Sequence, residues 1–404
     1  MTPIKIIILG AGYAGLTASL QLQKQSLGDQ VEVTLINKNH YHYQTIWLHR
    51  NAVGVNTKEQ TAFDLREILD LERIRFIKDK VTAIDCDQQV ITTSNGEYPY
   101  DYLIIGLGSE IDSFQIPGLK EHAYSITSLS RSTRLFDQIM ASLLQYSQTT
   151  METPFHLIVG GGGFTGVELL GELTERLPEL CSEMGISPSQ IKLKSIEYEP
   201  TVLPEFDLEL GEYAMQQLEK RHVEFYLGTK IRSVSKTSIK IERSGLVEDI
   251  PVDLFVWTAG VKGHHLIDQM NIPSELGRVE VEADLTAPGY PNIFIIGDVA
   301  LIRNQEGKPY LPNADIAIQK AKVAVHNLLV KLNQKGQSQS FIFKNRGTIA
   351  SIGSKDAIGV TGKGRRIFGR LASILKKISD YVFLFQMGGF KLIWYQFIKQ
   401  KNKK

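Results

Sequence analysis

Two hexads of the form GxGxxG stand out in the sequence: Gly10-Ala11-Gly12-Tyr13-Ala14-Gly15 and Gly161-Gly162-Gly163-Phe164-Thr165-Gly166. In this spacing the first glycine makes a tight turn. The second lets backbone N–H groups approach a pyrophosphate, and the third lets a helix pack closely on the preceding strand. Each hexad follows an apolar, β-branched run, Ile4–Leu9 or Leu157-Ile158-Val159. Each leads into a helix-like stretch, Leu16 to Gln25 or the residues through Leu173. Two such loops imply two bound dinucleotides, or one dinucleotide cofactor and one dinucleotide substrate. The residue closing the second strand of each unit selects the nucleotide. In the second unit it is Glu197, which accepts from ribose hydroxyls and repels a 2′-phosphate. Glu199 adds to the repulsion and no arginine stands beside it, so NADH is predicted over NADPH. In the first unit the position is Asn37, followed by Lys38; asparagine can still bond a ribose, without charge.

The elements around these loops place the remaining candidates. Ile293-Phe294-Ile295-Ile296-Gly297-Asp298 reads as a strand ending in Gly-Asp. Where a flavin dinucleotide lies along the first unit, its ribityl chain needs a carboxylate acceptor at about this point, and Asp298 is the candidate. Two further strands end in small residues, at Gly106-Leu107-Gly108 and Ala259-Gly260, where the chain can pass close to a cofactor or a neighbouring domain. The order predicts an α/β fold with two Rossmann-like dinucleotide-binding domains. Residues 1–115 and 266–332 would form a discontinuous FAD domain and 116–265 the NADH domain. A linker-like stretch at 333–340 precedes a C-terminal region, 341–404, with amphipathic helices that associate with a membrane.

Composition narrows the class. At 404 residues the chain exceeds the ~250–300 at which a single core stops growing, so two or three domains are expected. With 43% hydrophobic and 22% charged residues, disordered and collagen-like classes are excluded. Cys86 and Cys181 are too far apart for a CxxC redox pair or a thiolate metal site, no metal is expected, and two thiols in so long a chain suit a reducing compartment. No apolar run reaches the ~18–20 residues of a spanning helix, and none has signal-peptide form, so a mature, cytoplasmic chain is expected.

The net charge of +1 hides an asymmetry. Between Lys363 and Lys404 eleven bases face one acid, Asp380, a local +10 that leaves −9 on the rest. Ile367, Phe368, Leu371, Ile374, Leu375 and Ile378 recur at helical spacing, and so do Phe390, Ile393, Trp394, Phe397 and Ile398 beyond Gly388-Gly389. The spacing predicts two amphipathic helices broken by a glycine pair, lying in the interface of an anionic membrane. Packing on the core or on a second copy of the chain, a homodimer, is the alternative. Nucleic acid is disfavoured because the tail carries no binding motif.

The order GxGxxG, small-residue strand end, GGGxTGxE, WTAG and FIIGD resembles that of flavoproteins with two dinucleotide-binding domains. Asn39-His40-Tyr41-His42-Tyr43-Gln44-Thr45-Ile46-Trp47-Leu48-His49, Gly163–Glu168, Pro200–Pro204 and Met387-Gly388-Gly389 narrow the likeness. Over nearly the whole chain the sequence is similar to type II NADH dehydrogenases, the single-subunit NADH:quinone oxidoreductases of bacterial membranes. The resemblance implies FAD as prosthetic group, NADH as donor, and a membrane quinone of menaquinone or ubiquinone type as acceptor. It also implies no proton pumping and a peripheral position on the cytoplasmic face of the cell membrane. Glu168 matches a glutamate near flavin and nicotinamide, Thr45 and Ala317 match flavin contacts, and Lys376 or Lys377 resembles a lysine near the flavin ring. Both lysines facing lipid head groups is the alternative. At the quinone mouth, where the family usually has Ala-Gln-x-Ala-x-Gln, this chain reads Ala314-Asp315-Ile316-Ala317-Ile318-Gln319, so Gln319 is kept and Asp315 departs. Arg50 stands where a glutamate is usual, and whether Arg50 and Asp315 compensate one another stays open. Competing readings are sulfide:quinone oxidoreductase, which needs cysteines near the flavin, a soluble acceptor, and a non-enzymatic NADH sensor docked on a membrane.

Overall fold

The structure, a computed structural model, describes residues 2–28, 30–333 and 336–401, with side chains at all of these except 387, 388, 391, 395 and 397–401. Part of the linker-like stretch, residues 334 and 335, lies outside the described residues.

The strand Ile4–Leu9 is apolar without alternation because both its faces are covered, as in a parallel sheet flanked by helices. It pairs in parallel with Val31–Asn37 on one side and Tyr102–Ile105 on the other. Ile74–Lys78 and Tyr290–Ile295 extend the sheet at either end in parallel, and Thr286–Ala287 adds a short antiparallel edge. The strand Tyr290–Ile295 comes from far down the chain, so this sheet is completed only after the second one is built. That second sheet is wholly parallel, in the order Tyr124–Ser125, Leu254–Trp257, Phe155–Gly160, Ile191–Ile196, Val223–Tyr226. The outgoing and returning crossovers pair with each other, Glu110–Ile111 antiparallel to Val261–Lys262.

Residues beyond 341 lie across both units. A three-stranded sheet, Gly347–Ser351, Ala357–Thr361 and Arg366–Phe368, places Ala350, Ile352 and Ile358 in the core of the second unit. The helix that follows places Leu384 and Leu392 in the core of the first.

This helix differs from the sequence expectation in three ways. Ile367 and Phe368 belong to a strand, and the helix begins at Gly369. It runs to Lys401 as one element, with Gly389 left-handed at φ 61°, so the glycine pair inverts the backbone locally without separating two helices. Its inner side is also polar: Ser373, Asp380 and Gln396 are buried, whereas Leu371, Ile374, Ile378, Val382, Phe385, Phe390 and Trp394 are exposed. Phe397 and Ile398 of the expected stripe lie outside the described side chains, as do the basic residues Lys391, Lys399, Lys401, Lys403 and Lys404. Among the described residues no helix is long and apolar enough to cross a membrane.

Candidate functional site

Both hexads form the starts of helices, Tyr13–Leu22 and Phe164–Glu183, and neither helix has a side-chain cap at Gly12 or Gly163. The unshared N–H groups and the positive end of the helix dipole are what a diphosphate needs. Gly10 sits at φ 88°, and a Cβ on it would lie 2.4 Å from the Gly106 carbonyl oxygen. A Cβ on Gly15 would lie 1.9 Å from Gly10 O, whereas one on Gly12 would meet nothing within 4 Å. The open side of the loop therefore leaves room for a pyrophosphate. The second loop repeats this: Gly161 is at φ 110°, a Cβ on Gly166 would lie 1.9 Å from Gly161 O, and Gly163 has only Glu205 Oε1 near, at 3.8 Å. The strand-end residues close the loops alike. Ala11 N donates to Asn37 Oδ1 at 3.0 Å, and Gly162 N donates to Glu197 Oε2. Lys38, next to Asn37, is exposed.

Several predicted contacts gather beside the first loop. Asp298 lies in the turn Gly297–Val299 and accepts from Ser109 Oγ at 2.8 Å. Gly108, at φ 76°, has open space where a Cβ would stand. Thr45 is exposed at the head of the short turn Thr45–Trp47. The helix Ala314–Asn333, whose first turn is capped by Asn313 accepting from Ile316 N at 2.9 Å, packs on the Gly297–Val299 turn and buries Ala317. Gly260 serves chain packing: a Cβ on it would lie 2.6 Å from Asp112 O of the outgoing crossover.

Between the two units lies a chain of charges, from buried Glu168, Glu172 and Asp380 to half-buried Lys376 and Arg50. Glu168 and Glu172 share a face of the helix Phe164–Glu183, being four residues apart. Glu168 accepts from Ser351 N at 3.2 Å and Ser351 Oγ at 3.1 Å, and stands 3.6 Å from Lys376 Nζ and 3.5 Å from His49 Nδ1. Lys376 also pairs with Asp380 at 3.5 Å, and Asp380 accepts from Trp47 Nε1 at 2.9 Å. Glu172 faces Arg50 Nε at 3.5 Å and His49 Nε2 at 3.8 Å.

Burial pushes the Glu168 carboxyl up, but Lys376, His49 and Ser351 outweigh it and hold Glu168 below the ordinary glutamate value. Burial disfavours the Lys376 ammonium, yet Glu168 and Asp380 keep it above the usual lysine value. Glu172 is pushed up to about 6 by burial, only partly opposed by Arg50. His49 is pulled down to about 4 by burial and is neutral at pH 7. Two carboxylates on one helix face are thus driven apart in acidity by their surroundings.

The lysine alternatives separate: Lys376 turns inward to Glu168, while Lys377 donates to Ser354 O at 2.8 Å. Beside them a cavity of about 200 Å³ is lined by Trp47, Arg50, Lys377, Asp380 and Gln396 among others. Asp315 and Gln319 bond each other, Nε2 to Oδ2 at 2.8 Å, and Gln319 is tied to Lys344 N and O, both at 3.0 Å. Arg346 stands 3.9 Å from Asp315, and burial leaves the Asp315 carboxyl raised despite that cation. Arg50 pairs with Glu172, so Arg50 and Asp315 have separate partners.

The sequence reading left out His49, Glu172, Ser351, Trp47 and Asp380. The Glu168/Glu172 spacing was a signal that could have found one of them. Glu110, His264 and His265 also cluster on the crossover ribbon, with His265 Nδ1 2.7 Å from Glu110. His264 Nδ1 accepts from Leu266 N at 3.3 Å, which puts the ring proton on Nε2, the nitrogen facing Glu110. His264 Nε2 lies 3.7 Å from Glu110, and burial pulls His264 down to about 4.

The chain matches the family model of the pyridine nucleotide-disulphide oxidoreductases over residues 4–325. It is 38% identical over 391 residues to a type II NADH:quinone oxidoreductase of Staphylococcus epidermidis, covering 96% of this chain and 97% of that protein. It is 37% identical over the same length to the enzyme of that name from Staphylococcus aureus, with the same coverage. Its fold matches the NDH2 of Plasmodium falciparum solved with NADH, at TM-score 0.87 and 20% identity, covering 98% of both chains. It also matches the sulfide:quinone oxidoreductase of Aquifex aeolicus, at TM-score 0.79 and 19% identity, covering 95% of this chain and 91% of that one.

Proposed function

Because the chain belongs to the type II NADH:quinone oxidoreductases and to the pyridine nucleotide-disulphide oxidoreductase family, we propose that its first glycine loop holds FAD, its second takes NADH, and its charge chain serves the electron transfer to quinone. The protein is an NADH:quinone oxidoreductase. The residues fit a flavin dinucleotide: an open glycine cradle at Gly12, a helix start without a side-chain cap, and the Asp298 carboxylate held by Ser109. Gly10, Gly12, Gly15, Asn37, Lys38, Thr45, Gly108, Asp298 and Ala317 would hold it. When bound, FAD supplies the two-electron chemistry, with hydride in from NADH and two electrons out to a quinone.

The observation that carries this reading is the position of Glu168. It stands on the helix launched by the second glycine loop. It meets His49, which follows the Thr45–Trp47 segment, and Lys376 from the C-terminal helix. That is where a donor on one loop and an acceptor for its electrons on the other must meet. Gly161, Gly163 and Gly166 seat the pyrophosphate of NADH, and Glu197 takes its ribose hydroxyls. Lys376 adds a half-buried cation beside charge that would build up on reduction. Glu172, raised to about 6, takes up a proton below that pH, and His49 lies between it and Glu168. Making quinol from NADH and quinone consumes one proton from solution overall, so such a proton holder has work here.

The exposed stripe Leu371, Ile374, Ile378, Val382 and Phe385, with Arg370 and Lys377 nearby, lies on the anionic cytoplasmic face of the membrane in this reading. Each basic residue there adds roughly 1 kcal/mol of attraction. A sulfur-carrying reaction is disfavoured: Cys86 and Cys181 are buried free thiols, both raised to about 11 by burial.

The test is spectroscopic. The purified protein should be yellow, bleach with NADH and much less with NADPH, and recolour with a menaquinone or ubiquinone analogue. A colourless protein would overturn the FAD assignment, and bleaching without recolouring by any quinone would point to a soluble acceptor or a sensor.

A further inference from the structure

Lys320, on the helix Ala314–Asn333, is only 3% exposed. A lysine is seldom buried so completely unless its ammonium has strong partners. Here they are two backbone carbonyls: Nζ donates to Gly297 O at 3.0 Å and to Ala300 O at 2.8 Å. These carbonyls bracket Asp298, whose carboxylate accepts from Ser109 and whose turn is closed by Ala300 N donating to Gly297 O, with Ala300–Leu301 then pairing with Val279–Glu280. Gly297 is left-handed at φ 69°, so the backbone leaves the strand Tyr290–Ile295 just before Asp298, and strand pairing resumes at Ala300.

We propose that Lys320 is a positioning residue for the flavin: it clamps the Gly297–Ala300 turn from behind, fixes the direction of the Asp298 carboxylate, and places a compensating charge beside it. The inference rests on the reading of Asp298 as a flavin ligand. Geometry carries it, because a core helix would need only an apolar residue at 320 to fill the space. An ammonium that reaches two carbonyls of one turn orders that turn. The charged groups acting on it are Asp298 and Arg278. Burial lowers the Lys320 value to about 8, with Asp298 working against that and Arg278 adding to it. Below about pH 8 the clamp is charged. Above it the ammonium loses a donor and its charge, and the hold on Asp298 weakens.

The experiment follows FAD release from diluted holoenzyme by the rise in flavin fluorescence between pH 6.5 and 9. Three proteins are compared: the native chain, Lys320→Met, which keeps the length without donors, and Lys320→Gln, which keeps donors without charge. Native protein should release FAD faster as pH rises through about 8. Lys320→Met should release it on the order of tenfold faster at pH 7, with no step near 8, as expected for losing charge-assisted hydrogen bonds. Lys320→Gln should fall between the two at pH 7 and also lack the step. Release from Lys320→Met or Lys320→Gln with native rate and native pH step would overturn the inference. So would a lowered melting temperature in either variant with no change in release. If Lys320→Met does not fold, the step in Lys320→Gln decides alone. Native protein that carries no FAD would instead overturn the underlying reading of Asp298.

Discussion

The two glycine loops are built alike and finished differently. Each starts an uncapped helix, and each is closed by the residue that ends the next strand, through the backbone N–H of the loop's second residue. In the first, that residue is neutral Asn37, bonded onward to Asn39 O at 2.8 Å. In the second it is anionic Glu197, with Glu199 N donating to it at 2.8 Å and Glu205 near Gly163. Two residues past the third glycine stands Thr17 in one helix and Glu168 in the other, both buried. On the proposed assignment, a shared scaffold would serve two ligands by changing a few side chains at fixed offsets. One loop would then be finished for keeping a nucleotide, the other for choosing one and reacting with it.

The sharpest way to break this comparison is to fill each loop in turn. Gly15→Val should give colourless protein, because the Cβ alone would overlap Gly10 O. Gly166→Val should stay yellow yet fail to bleach with NADH; loss of colour in both would mean that the loops do not act separately. Next, Glu168→Thr makes the second helix like the first. Turnover with NADH and quinone should fall by about a hundredfold with FAD content unchanged, within the range for a group acting on protons or charge in the transition state. A loss under threefold would remove Glu168 from the chemistry.

Glu197→Asn makes the second loop's closing residue like the first. The preference for NADH over NADPH in flavin reduction should shrink by about tenfold, equal to roughly 1.4 kcal/mol. An unchanged preference would assign nucleotide choice to Glu199 and Glu205. The smallest effect concerns pH. Glu172 carries its proton below about 6 and loses it above, so reoxidation of reduced enzyme by quinone should slow severalfold as pH rises through about 6. Glu172→Gln should flatten that limb while flavin reduction by NADH stays level. A limb that persists in the variant would place the proton elsewhere.

What the sequence made legible were features written in consecutive residues. Glycine spacing, the strand-end Glu197 and the Gly-Asp at 297–298 each depend on local chain geometry, so they could be read directly. The charge chain could not. His49, Glu172, Ser351 and Asp380 come from four separate segments; the two units bring His49 to Glu168 and Glu172, and the packing of the C-terminal region adds Ser351, Lys376 and Asp380. The choice between Lys376 and Lys377 needed the rotation of their helix, which periodicity left open because that helix buries Ser373, Asp380 and Gln396 beside Leu384 and Leu392 while exposing Leu371, Ile374 and Phe385. Ile367 and Phe368 fitted a helical stripe by spacing, but tertiary pairing with Ile358 and Gly359 drew them into a strand. Gly388-Gly389 looked like a break, yet one left-handed residue sufficed and the helical run continued.

The C-terminal helix has a practical consequence. Its inner side holds Lys376 against Glu168 and Asp380 against Trp47, while its outer side carries the apolar stripe. Cutting the chain near residue 379 to make a detergent-free enzyme would also strip Asp380, Leu384 and Leu392 from the interior. On the proposed membrane docking, handle and lock are one part: the helix that would grip the lipid also completes the charge chain around Glu168, so neither could be removed without the other.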